Sequence, residues 1–201
     1  MSSRLETGQG WAGTGVISHA VDEDSARLFE LYQQAKLGSP DLSGVNMQSA
    51  DFSEAKFPKG ISFSRALLSS AAFTSSVLSD INFLGCDLSD CNFCDAKVRR
   101  SDFSDAMLED ADFSDSELLN CKFDDALAND TDFRDTKLKG SSFKNASLVT
   151  SNFSDSEAIN TDFTEADLTA STLIQTNFSG ATLTGVRLYG TARSDWILAG
   201  V

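Results

Sequence analysis

The chain has 201 residues, 30 of them acidic and 16 basic, for a formal net charge of −14. That sign disfavours direct binding to nucleic acid or to an anionic membrane, both of which call for a basic surface, and suits a basic protein partner better. No stretch approaches the roughly 18 uninterrupted apolar residues of a membrane span, and the start "MSSRLETGQGWAG" has no apolar signal core; the expectation is a cytoplasmic protein, with export as a secreted effector as the alternative.

In chain order, residues 1–21 are expected to be a disordered N-terminal segment, because the stretch is rich in glycine and polar residues and has no apolar period. Residues 22–38 contain "DEDSARLFELYQQAKL". Leu28, Leu31, Tyr32 and Ala35 fall on one helical face, and Asp22 or Asp24 can accept the first free N–H groups, so this segment predicts a short helix that caps whatever follows.

From residue 39 to 190 one apolar residue returns at every fifth position. Phe63, Phe73, Phe83, Phe93, Phe103, Phe113, Phe123, Phe133, Phe143, Phe153 and Phe163 stand ten apart, with Leu68, Leu88, Leu108, Leu148 and Leu168 among the residues midway between them. Two residues before each centre the side chain is small, as at Ala66, Ser76, Cys86, Ala106 and Cys121. A helix turns about 500° over five residues, so successive centres would lie about 140° apart and form no stripe. A strand would put them on alternating faces. A chain that turns a corner every five residues returns the same position to the inside each time. One irregularity is a six-residue step from Phe57 to Phe63 across Pro58-Lys59-Gly60, which predicts a one-residue bulge. Residues 191–201 are expected to leave the repeat; there Trp196, Ile197 and Leu198, with Tyr189 just before them, would seal the last coil or make a dimer contact.

The chain has four cysteines. Cys86, Cys91 and Cys121 occupy the small inward position, where cysteine behaves as a compact hydrophobe, and only Cys94 should point outward. The Cys91–Cys94 pair is therefore read as a by-product of the period. No zinc site is expected, because four ligands are needed and the single histidine, His19, is far away. Neither a catalytic constellation nor a phosphate loop is present, so no enzyme activity and no cofactor are expected.

"CDLSDCNF", "SDFSDAML" and "ADFSDSEL" resemble the repeating unit of the pentapeptide-repeat proteins. The resemblance implies an all-β solenoid, a right-handed quadrilateral parallel β-helix in which four units make one square coil. Residues twenty apart would then stack at about 4.8 Å, and the rod would be roughly 36 Å tall. It also implies Phe columns on two facing inner walls and Leu mostly on the other two. Some members of this family dimerise through the C-terminal end, so the resemblance implies a homodimer contact as one of the two roles open to that segment.

Stacking by twenty maps the outside. Three walls carry an acidic excess and the wall of Leu78 a small basic one. Asp95, Asp115, Asp135 and Asp155 form one column, and Asp90, Asp110 and Asp130 a second. Lys97, Arg99 and Arg100 mark the basic strip, where Lys97, Glu117, Lys137 and Glu157 alternate in sign. The aspartate columns admit three readings: turn residues that accept backbone N–H bonds, an imitation of duplex phosphate, or stacked carboxylates for calcium. The expected function is a non-enzymatic, acidic, rod-shaped protein-interaction scaffold. The alternatives are a DNA-mimicking modulator of a type II topoisomerase such as DNA gyrase, which the resemblance implies for some members, or the repeat stalk of a longer protein.

Overall fold

In a computed structural model that describes residues 41–201, the backbone winds as a parallel coil from Asp41 onward. The expected disordered segment, the capping helix and its residues Leu28, Leu31 and Tyr32 lie outside the described residues. Each unit has five N–H groups, and their destinations explain why this sequence coils. In Ser101–Asp105, the Asp102 N–H donates to the Ile81 carbonyl of the coil before (2.9 Å), and the Phe103 and Asp105 N–H groups donate to the Lys122 and Asp124 carbonyls of the coil after (2.7 and 3.0 Å). The next unit's Ala106 N–H closes the corner on the Phe103 carbonyl (3.1 Å). That leaves the Ser104 N–H, which donates to the Asp102 carboxylate at 3.0 Å. The same bond recurs from the residue before the centre at Asp112, Asp132, Asp162, Asp167, Asn82, Asn92 and Asn152.

The corner itself is a turn whose third residue has positive φ, the type II pattern. Every one of the 24 non-glycine residues at this position has φ between 53° and 61°, and eight glycines fill the rest. Eleven of the 24 are aspartate and three are asparagine, the side chains that tolerate the left-handed region best after glycine.

Coils stack in a register of twenty, as in Asn82↔Asp102 and Asp102↔Lys122. The first coil takes 21 residues, as in Asp41↔Ser62 and Lys56↔Val77, and the extra residue is the expected bulge at Pro58-Lys59-Gly60, closed by Gly60 at φ 78°. One wall contains regular strands: β1 (Val77–Ser79), β2 (Lys97–Arg99) and β3 (Glu117–Leu119), all parallel. On this wall two corners are bridged between coils: the Ile81 and Cys121 N–H groups donate to the Ser101 and Ser141 hydroxyls of the coil after.

Inside, the eleven phenylalanines from Phe63 to Phe163 are all fully buried. Along each column the rings stack, as in Phe103–Phe123 at 4.7 Å and 2°, and between the columns they meet edge to face, as in Phe103–Phe113 at 5.9 Å and 89°. Both geometries suit the ring quadrupole, so each ring gains from neighbours in two directions. The small inward side chains have a polar duty as well. Thr131, Thr136, Thr161 and Thr176 donate to carbonyls 23 residues earlier, at 2.8–2.9 Å.

At the C-terminal end the structure departs from expectation. The repeat does not stop at 190: Ala192 pairs with Thr172 and Ile197 with Asn177, and the corners continue at Asp195 and Gly200. The reason is that the inter-coil hydrogen bonds are made by backbone, so Arg193 can stand at a centre where no large apolar residue is available. Trp196 takes the inward small position and packs edge-on against Phe178 (5.8 Å, 88°), with the Arg193 guanidinium 5.6 Å from its ring centre. Tyr189, Ile197 and Leu198 are exposed and do not seal the coil.

Candidate functional site

The aspartate columns occupy corners. Asp90, Asp110 and Asp130 run along one edge of the wall built on Phe93, Phe113 and Phe133, and Asp95, Asp115, Asp135 and Asp155 along its other edge. All seven are exposed, and all seven have positive φ. This changes the reason for their presence. They are not the turn acceptors; that work falls to the residue before each centre, three positions upstream of the next exposed corner. The corner aspartates stand where the backbone is left-handed and the side chain is directed by that geometry to the rim of the wall.

Between the two edges lie Asp112 and Asp132, which the column reading passed over. Each accepts the N–H two residues on, from Ser114 at 2.8 Å and from Arg134 at 3.0 Å. The Arg134 side chain folds back onto Asp132 at 2.5 Å. Two successive coils therefore show three carboxylates each: Asp110, Asp112 and Asp115, then Asp130, Asp132 and Asp135. Arg134 offsets one of the six, so with about 4.8 Å per coil the net is about one charge per 1.9 Å of rod, near the roughly 1.7 Å of duplex DNA. The signal that could have found Asp112 and Asp132 was the pair of aspartates on both sides of the centre in "DFSD" and "DFRD": one serves the turn and both face the same wall.

The basic strip is on the neighbouring wall, and much of its charge is paired within it. Arg99 reaches Glu117 at 2.9 Å, Lys137 approaches the same carboxylate at 3.6 Å, and Arg100 holds Asp80 through two nitrogens at 2.7 and 2.9 Å. The alternating column is in register as Lys97↔Glu117, Glu117↔Lys137 and Lys137↔Glu157, but Glu117 is captured by Arg99 rather than Lys97. The Arg99 hydrogen bond holds the Glu117 carboxyl below its ordinary value of 4.5. Arg100 does the same for Asp80.

Cys86, Cys91 and Cys121 are buried free thiols, and burial pushes each to about 12. Cys94 is on the outside of the wall, half-buried, so the Cys91 and Cys94 side chains point to opposite sides of the backbone. Among the described residues no group of three or more histidine, cysteine, aspartate or glutamate side chains gathers as a metal site, and no described helix is long and apolar enough to cross a membrane.

Two family models match: the pentapeptide repeat region over residues 108–188, and pentapeptide repeats in eight copies over residues 86–125. The chain belongs to the pentapeptide-repeat family, whose fold is the right-handed quadrilateral β-helix. Among solved structures it is similar to full-length QnrB1, described as a plasmid-mediated fluoroquinolone resistance protein, with 20% identity, 77% of this chain and 92% of that chain covered, and a TM-score of 0.43. It is also similar to a pentapeptide repeat protein of the Arabidopsis thaliana thylakoid lumen (20% identity, 63% and 70% covered, TM-score 0.32) and to HetL of Nostoc, involved in heterocyst differentiation regulation (18% identity, 82% and 93% covered, TM-score 0.28). No curated protein matches the chain.

Proposed function

We propose that this protein is a non-enzymatic scaffold that binds a protein partner through its acidic wall. The observation that carries this reading is the double row of exposed carboxylates, Asp90, Asp110 and Asp130 facing Asp95, Asp115, Asp135 and Asp155, with Asp112 and Asp132 between them. A convex wall of carboxylates offers no enclosed site for general acid–base chemistry, but a rigid one presents fixed charge to a basic surface at little ordering cost. The charge spacing over the two central coils favours a sharper form: the partner is a protein that ordinarily holds duplex DNA, and a type II topoisomerase is the member of that class to test first.

Purified DNA gyrase, its supercoiling activity and its capture on immobilised protein at low and high salt provide the test. Inhibition or capture that salt abolishes is expected. The triple variant Asp112→Asn/Asp115→Asn/Asp132→Asn removes charge with little change of shape and is expected to weaken the effect at least about tenfold. Gyrase capture that ignores both salt and the triple variant would remove the acidic wall as the binding face. Absence of any effect on gyrase would leave the scaffold reading with a different basic partner.

A further inference from the structure

The wall built on Leu68, Leu88, Leu108 and Ala128 differs from the acidic wall in one respect that charge counting hides. The residue before each centre is elsewhere mostly polar, since its side chain takes the free turn N–H. Here it is Leu67, Met107 and Leu127, which are 42%, 40% and 45% exposed. They stand in one column with Asp87, in the register Leu67↔Asp87↔Met107↔Leu127, about 14 Å from end to end by the coil spacing. Met107 and Leu127 are direct neighbours.

Carboxylates flank this apolar pair on both sides. Asp105 and Asp125 stand at the corner that opens the wall, and Asp110 and Asp130 at the corner that closes it; all four are exposed and left-handed. Among the described residues no lysine or arginine nitrogen reaches any of the four, whose polar contacts across the coils are the Asn145 amide on Asp125 and the Thr150 hydroxyl on Asp130. The cross-section is therefore acidic, apolar, acidic. Duplex phosphate has no apolar floor, so imitation of DNA does not account for this wall.

The geometry points to a second docking surface here, for a basic amphipathic helix of a protein partner. Such a helix carries an apolar stripe with lysine or arginine on both flanks, which is the complement of an apolar column between two rows of carboxylates. Met107 adds an unbranched, adaptable contact of the sort used where an apolar stripe must be gripped. The inference rests on the scaffold reading and adds the chemistry of a partner at a different wall.

The experiment is fluorescence titration of the full chain with two labelled probes. One is a synthetic helix-forming peptide of lysine and leucine with a single leucine stripe; the other is an oligolysine of equal charge. The protein variants are Met107→Ser/Leu127→Ser, which keeps every charge, and Ile174→Ser, which removes an exposed apolar residue from another wall; melting curves confirm that both are folded. The amphipathic peptide is expected to bind at least about tenfold tighter than oligolysine, to lose about tenfold in the double variant, and to be unaffected by Ile174→Ser. Equal affinity for the two probes, or an unchanged affinity in the double variant, overturns the proposal while leaving the acidic-wall reading standing on its oligolysine binding. Failure of both probes to bind would remove the acidic scaffold and this surface together.

Discussion

A left-handed corner every five residues sets what each aspartate does. At Asp115 the carboxylate is not needed for the turn, because the Ser114 N–H goes to Asp112. What matters at Asp115 is φ of 59°. Asp115→Gly removes the Cβ penalty and adds unfolded-state freedom, so stability should change by less than about 1 kcal/mol. Asp115→Val forces a β-branched residue into the same region and should cost about 1–2 kcal/mol or more. Urea denaturation of the two variants checks this. Equal losses would mean that the carboxylate, and not the backbone, secures the corner. The cysteines test the inward and outward assignment in the same way. Brief alkylation of the native protein near neutral pH should label Cys94 alone, since the other three thiols are buried and titrate near 12. Mass spectrometry counts the adducts, and unfolding should expose all four.

At the scale of one coil, most of the architecture could be read from spacing. Phe103 to Phe123 is one coil because each position occurs once per corner and four corners close the square, so the Phe columns, the inward cysteines and the bulge at Pro58-Lys59-Gly60 all followed. What spacing could not separate is the two aspartates of "DFSD". Both are polar and outward, and only the hydrogen bonding shows that one satisfies an N–H while the other tolerates positive φ. Nor could it show that the coil continues past Leu188, because Arg193 breaks the apolar pattern and leaves the backbone ladder intact. A buried column gives an element-scale prediction. Ser76, Ser116 and Ser156 stand forty apart with buried hydroxyls that find no partner, while Thr136 and Thr176 of the same column reach the Phe113 and Phe153 carbonyls. Ala96 already occupies this column and is fully buried. Ser116→Ala should therefore be neutral or raise stability by up to about 1 kcal/mol, because it deletes an unpaired buried hydroxyl. Thr136→Ala deletes a bonded one and a methyl group with it, and should cost about 1–3 kcal/mol. A loss in both variants would show that the serine hydroxyls are paired in solution.

Over the whole rod negative charge predominates, and the ion pairs among the described residues are few and at least partly exposed, half of them on the basic strip and the rest spread over the other walls. A net charge of −14 repels itself more in the compact rod than in the open chain. Added salt at neutral pH should therefore raise the melting temperature, since screening relieves that repulsion while the exposed pairs lose only tenths of a kcal/mol. The pH dependence of one pair separates the two effects. Glu117 is held below its ordinary 4.5 first by the Arg99 hydrogen bond. A carboxylate with a lowered folded value contributes stability that is complete above the unfolded value and disappears as pH falls through the folded one. The cost of Glu117→Gln should thus be a few tenths of a kcal/mol, constant from pH 8 down to about 4.5, and should shrink toward zero below that. Self-repulsion has the opposite sign: Glu117→Gln removes one negative charge and relieves it. If the variant is more stable than the parent at pH 7 and low salt, repulsion outweighs the pair even on the basic strip, and the whole surface acts as a single acidic field. If it is less stable, the strip is a locally balanced patch, and the acidic character belongs to the other three walls.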